Sequence, residues 1–159
     1  MDRIAKAAGC NKNLIYVYFE NKETLFATVL QQNLLCVYAD LTFTADDLPG
    51  YATRVFDFAI AYPDLMRLMA WSNLERNTHT LAERVVSHDD KVAEMTKAQN
   101  AAQLATTFPP SFLLTAVMTL ATAWTAASPF GASLDPDSVK GLAELRQRVA
   151  DAVALFSKP

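Results

Sequence analysis

Lys12, Asn13, Tyr16, Tyr18 and Lys22 crowd into one short stretch near the start of the chain, KNLIYVYFENK, and their chemistry is that of recognition. An amide can pair with the adenine edge, and a lysine can reach guanine or a backbone phosphate. Helical spacing sets Lys12, Asn13 and Tyr16 on a face opposite the apolar Leu14, Ile15 and Phe19. Lys22 follows Asn21 at the predicted start of another helix, where free backbone N–H groups suit a phosphate. Nothing comparable points to catalysis. His79 and His88 have no ligating residue at i+4 and no nearby cysteine, so neither a metal site nor acid–base work is expected. The chain has no glycine-rich phosphate loop, no G-x-S-x-G and no H-E-x-x-H. The expectation is a protein that is not an enzyme and needs no cofactor.

These residues need helices to present them. Ile4, Ala5 and Ala8 give a first segment one apolar face, and Gly9 stands where that helix would stop in a left-handed conformation. Asn11 can accept an orphan N–H of a second helix beginning at Lys12, and Asn21 can do the same for a third beginning at Lys22. Two short helices joined by a glycine-containing turn form a helix-turn-helix, whose second helix can lie in the DNA major groove.

The stretch IAKAAGCNKNLIYVYFENKETLF resembles the helix-turn-helix signature of TetR-type transcriptional regulators: an I-A-x-x-A-G turn, an L-Y-x-[HY]-F recognition helix and an x-x-K-x-x-L helix start. The resemblance implies DNA-contact roles for Lys12, Asn13, Tyr16, Tyr18 and Lys22, with Asn11 beside them in the same set. The signature covers about the first sixth of the chain. TetR-type domains usually carry one more helix upstream, whereas this chain starts at Met1-Asp2-Arg3, inside the first helix of the motif. Ile4, Leu14, Ile15 and Phe19 are therefore expected to lose part of their cover.

Composition agrees with an all-α fold of one domain, or one small domain on a larger one. The 159 residues are 52% hydrophobic and 19% charged, with only 4 glycines, too few for many tight turns. Net charge is −3, so any DNA contact must be local rather than spread over a basic surface. Over residues 1–30, Arg3, Lys6, Lys12 and Lys22 face Asp2, Glu20 and Glu23, leaving a single excess positive charge. Cys10 and Cys36 are isolated, which suits a reducing cytoplasm and suggests neither a disulfide nor zinc.

The predicted organisation is a truncated helix-turn-helix domain with its linking helix over 1–44 and a helical regulatory and dimerisation domain over 45–159. The linking helix is expected to run to about Thr44, with Leu48-Pro49-Gly50 breaking the pattern before helices from Tyr51 and from Pro63. Residues 73–80 read as a loop, and Leu81 to about Thr106 as a long helix with Val92, Met95, Ala98 and Ala102 inward. From Ala98 to Leu134 there is no charged residue. The helix inside that run, about 111–127, and a last helix over 136–157 are expected to form a dimer interface, since the run otherwise leaves apolar surface exposed.

Phe56, Met66, Met69, Trp71, Met95, Met118 and Trp124 are candidates to line an effector cavity, although each is also an ordinary core residue. Arg67, Glu75 and Arg76 are charged candidates near it. By resemblance, the chain is expected to be a ligand-responsive, cytoplasmic transcriptional regulator, a repressor that binds a palindromic operator as a homodimer and answers to a small apolar effector. The alternative is a dimerising ligand-binding or interaction protein that has lost DNA binding through the missing first helix.

Overall fold

A computed structural model describes residues 1–74 and 82–159, apart from the side chains of residues 34–40, 73 and 82–86. The regular structure of the described residues is helical throughout. They divide into two compact units, Met1–Cys36 and Val37–Pro159, and the division falls inside the third helix, ahead of the 44/45 boundary read from the sequence.

The first unit contains α1 (Asp2–Ala8), α2 (Lys12–Phe19) and the start of α3 (Lys22–Asp40). Gly9 ends α1 with φ 65°, the left-handed conformation that a residue with a Cβ adopts only with strain, and Cys10 N–H then returns to Ala5 O at 3.1 Å. Asn11 is extended, and its side chain accepts the Asn13 N–H at 2.9 Å. Asn21 accepts the Thr24 N–H at 2.7 Å and so starts α3. Ala5 and Ile15 are buried, Phe19 is half-buried, and Ile4 and Leu14 remain 40% and 46% exposed.

The second unit is built around α4 (Leu48–Ala61), which buries Leu48, Tyr51, Ala52, Thr53, Val55, Phe56 and Ala59. α5 (Pro63–Leu74), α6 (Ala82–Asn100), α7 (Pro110–Thr122) and α9 (Leu142–Ser157) follow, with a short α8 (Gly131–Leu134) and a 3-10 turn at Ser138–Lys140 between α7 and α9. α4 packs on α9 and α7, and α7 also touches α6 and α9. Leu113, Leu114, Val117 and Ala121 of α7 and Leu145, Val149 and Val153 of α9 close the core with Met95 and Ala98 of α6. Each residue repeats at three- or four-residue spacing, which is what turns one stripe of a helix inward. Arg146 Nε reaches both carboxylate oxygens of Asp57, at 2.8 and 2.9 Å, and ties α9 to α4 at the rim of this core.

Several boundaries differ from the sequence reading, each for a local reason. α3 ends at Asp40 rather than near Thr44, and Arg54 Nε holds the departing chain through Thr42 O at 2.9 Å. Leu48-Pro49-Gly50 starts α4 instead of breaking the pattern. Asp47 caps it by accepting the Gly50 N–H at 2.9 Å, and a proline in the first turn loses no helical bond there. α6 stops at Asn100 rather than about Thr106, because Ala102 turns left-handed at φ 56°; Ala102 is exposed, not inward. The Gln99 side chain holds the turn that follows, donating to Ala105 O and Phe108 O at 2.6 and 2.8 Å. Phe108-Pro109-Pro110 leads into α7, with Pro109 at its N-cap position. The last helix starts at Leu142, not 136, since Asp135 and Ser138 close a separate turn that Gly141 interrupts.

The charge-free run is one-sided rather than enclosed. Ser111, Phe112, Thr115 and Thr119 are exposed on α7, and Thr115 satisfies its hydroxyl on Ser111 O at 2.8 Å. No helix among the described residues is long and apolar enough to cross a membrane. Glu75, Arg76, His79, Leu81 and the rest of the predicted 73–80 loop beyond Leu74 lie outside the described residues, as do the side chains of Leu34, Val37, Tyr38 and Val85.

Three substitutions test this packing and capping. Leu145→Ala should destabilise the protein by about 2–5 kcal/mol in urea unfolding, while Gln147→Ala on the outer face of the same helix should stay within about 0.5 kcal/mol. Asn21→Ala removes the acceptor that starts α3 and should lower stability by about 1 kcal/mol, read as a lower midpoint of helix melting by circular dichroism.

Candidate functional site

The candidate DNA-contact residues lie on α2 and at the start of α3, all in the first unit. Asn13, Tyr16, Val17 and Tyr18 are exposed, the three large ones at 41%, 75% and 73%. A helix this short buries only Ile15 and half-buries Phe19, so most of its surface stays open to a partner. Asn11 is exposed, but its carbonyl oxygen is occupied in capping α2. Lys22 is exposed at the first position of α3, after the capping Asn21.

Lys12 differs from its neighbours. Its Nζ lies 3.0 Å from Asp2 Oδ1, joining the start of α2 to the start of α1. The hydrogen bond and the charge of Asp2 raise the Lys12 pKa, and Lys12 lowers that of Asp2 for the same two reasons. This pairing was not legible in the sequence, where the two residues are ten positions apart and share no helical face.

The candidate effector residues fall into different environments of the second unit. Phe56 and Met95 are enclosed within the core cluster, and Met66 is buried as well. Met69 is half-buried, while Trp71 is 40% exposed. Arg67 is exposed and paired with Asp64, one turn away, at 3.3 Å. Met118 and Trp124 pack against the core from its edge. Tyr51 OH lies 3.7 Å from Met118 Sδ, and the Tyr51 ring meets Phe43 edge-on with centroids 4.9 Å apart.

Two polar groups stand out around this apolar region. Lys91 on α6 lies with Nζ 5.8 Å from the Phe43 ring centroid and 2.6 Å from Ser87 Oγ. Burial pulls its amine below the ordinary lysine range, against the opposing pull of Asp90 and Glu94. Trp124 Nε1 is a buried donor without an acceptor, the only such side-chain atom among the described residues. An orphaned buried N–H is unfavourable, and such groups commonly mark a water or ligand position. Periodicity could rank Trp124 as apolar but could not reveal that its ring nitrogen faces no acceptor. Among the described residues no group of three or more His, Cys, Asp or Glu is placed to hold a metal.

Comparison with known proteins matches both units. Residues 1–29 match the bacterial regulatory proteins of the tetR family, and residues 47–154 match the tetracyclin repressor-like C-terminal domain. The chain is 36% identical over 124 residues to the HTH-type transcriptional repressor SCO4008 of Streptomyces coelicolor, a match that takes in 76% of this chain and 65% of that repressor. Its structure is similar to the crystal structure of SCO4942, a candidate transcriptional regulator of the same organism, with a TM-score of 0.84 at 30% identity over 99% of this chain and 87% of that one. The capped helix-turn-helix and the helical unit that follows it belong to one family, and the chain is a member of the tetR family of bacterial regulatory proteins.

Proposed function

We propose that this protein is a ligand-responsive, DNA-binding transcriptional regulator, a repressor that works as a homodimer on a palindromic operator. The observation that carries this reading is the exposure of Asn13, Tyr16 and Tyr18 on a capped α2 that buries little else. Asn13 and Tyr16 suit base edges in the major groove, and Tyr18 and Lys22 suit the phosphates beside it. The repressor activity of SCO4008 supports the same reading.

The dimer would form through α7 and α9. Phe112 and Leu155 are 54% and 86% exposed on these helices, and Phe108 stacks on Phe112 with centroids 5.0 Å apart. Apolar groups this exposed gain free energy by burial against a second copy. Two-fold symmetry then sets half-sites one helical turn or a multiple apart.

The effector would bind in the second unit near Tyr51, Met118 and Trp124. A small apolar molecule carrying one hydrogen-bond acceptor suits that surface, because it would satisfy the indole N–H of Trp124. α3 runs from the first unit into the second, so it is the covalent route by which binding there reaches α2. Coupling of this kind typically amounts to about 1–3 kcal/mol, a change in operator affinity of roughly 5- to 150-fold.

A second reading, a dimerising ligand-binding protein without DNA binding, draws on the exposure of Ile4 and Leu14 and on the small positive excess of the first unit. Fluorescence anisotropy with promoter DNA from beside the protein's own gene separates the two. The regulator binds it in preference to a random duplex; no binding to either duplex favours the second reading. Asn13→Ala and Tyr18→Ala should each weaken promoter binding by roughly 5- to 150-fold at constant salt, as lost base or backbone contacts do. In size-exclusion chromatography with light scattering, the parent chain should elute as a dimer at micromolar concentration and Leu155→Glu as a monomer. A dimeric Leu155→Glu variant would place the interface elsewhere.

A further inference from the structure

Lys12 opens the recognition helix, yet its ammonium already has a carboxylate partner. Nζ lies 3.0 and 3.1 Å from the two oxygens of Asp2, within charge-assisted hydrogen-bonding distance of both. The pair is solvent-accessible, with side chains 43% and 81% exposed, so a DNA phosphate could reach the same ammonium. A carboxylate and a phosphate oxygen present the same chemistry to a lysine: a compact anion that accepts its N–H bonds. In a unit whose basic residues are only Arg3, Lys6, Lys12 and Lys22, removing one from the field leaves little general attraction to a polyanion.

Resting on the DNA-binding reading above, we propose that Asp2 acts as an internal phosphate mimic, holding Lys12 back from the DNA backbone and so lowering sequence-independent affinity. Asp2 is a positioning residue that acts through Lys12. The consequence is a reading head that gains little from any duplex and depends on the base-facing contacts of Asn13 and Tyr16. Such a device raises the ratio of specific to nonspecific binding, the quantity that matters against the excess of competing genomic sites.

The pairing also makes a distinctive thermodynamic prediction. A lysine that neutralises a phosphate releases condensed counterions and steepens the fall of log K with log salt by about 0.9. A lysine retained by its own carboxylate contributes little to that slope.

The test uses the parent chain, Asp2→Asn, Lys12→Gln and the double variant, each binding a fluorescein-labelled random-sequence duplex between about 50 and 200 mM salt. Asp2→Asn should bind up to about fivefold more tightly at the low-salt end, the range expected when one exposed ion pair is released. Its salt slope should steepen by up to about 0.9. Lys12→Gln should change the slope little when Asp2 is present and flatten it by about 0.9 when position 2 is asparagine. If Lys12→Gln flattens the slope equally in both backgrounds, the two charges act independently and the inference is overturned, even though the protein binds DNA. Weaker binding by Asp2→Asn also overturns it, because Asp2 would then be holding Lys12 in its binding position. If none of the four chains binds the duplex at low salt while circular dichroism shows intact helices, the DNA-binding reading fails and this inference falls with it.

Discussion

The burial of α4 is the constraint on which the larger unit depends. Leu48, Tyr51, Ala52, Val55, Phe56 and Ala59 turn inward on nearly every turn of that helix, so it is unstable unless other helices enclose it. α7 and α9 supply the enclosure with Leu113, Val117, Leu145, Val149 and Val153. Both helices turn one apolar stripe onto α4, and what remains on their outer faces is mixed: hydroxyls at Ser111, Thr115 and Thr119, and exposed apolar groups at Phe112 and Leu155. The outer faces are thus free for a second role because the first is confined to one side.

The smaller unit rests on capping rather than on a large core. With Ala5, Ile15 and Leu30 as its buried apolar residues among those described, it has little hydrophobic free energy to draw upon. Its geometry instead follows from the left-handed Gly9 and from the two asparagine caps, each of which satisfies a backbone N–H that a helix start leaves orphaned. A recognition helix held mainly at its ends can keep most of its side chains outside. That is the arrangement a surface reader needs and a core helix cannot have.

Much of this was legible from residue order because the governing signals are local. Gly9, Asn11 and Asn21 announced the boundaries of α1, α2 and α3 through chemistry that spans three or four residues. Pro63 at the start of α5 was equally plain. Where the structure departs from the sequence pattern, a particular side-chain hydrogen bond or a disfavoured backbone conformation decided the outcome. α6 ends early at a left-handed Ala102, a conformation that alanine's own preference disfavours, with the following loop held by Gln99. Pro49 and Gly50 look like a break until Asp47 is seen to cap the helix they begin. The candidate effector residues occupy two environments: Phe56 and Met95 lie enclosed in the core, while Met118 and Trp124 pack at its edge.

The amino-acid sequence by itself determined the family, the all-α class and the ends of α1, α2 and α3, because helical periodicity and end-capping act over a few neighbouring positions. Only the tertiary structure decided which apolar residues fill the core, which faces of α7 and α9 stay exposed, and that Trp124 keeps an unpartnered N–H. It also paired Lys12 with Asp2. These are contacts between segments far apart along the chain or on different helices, and their outcome depends on how α1 and α2, or α4, α7 and α9, meet in space. Residue type sets what a side chain can do, and packing sets which partner it finds.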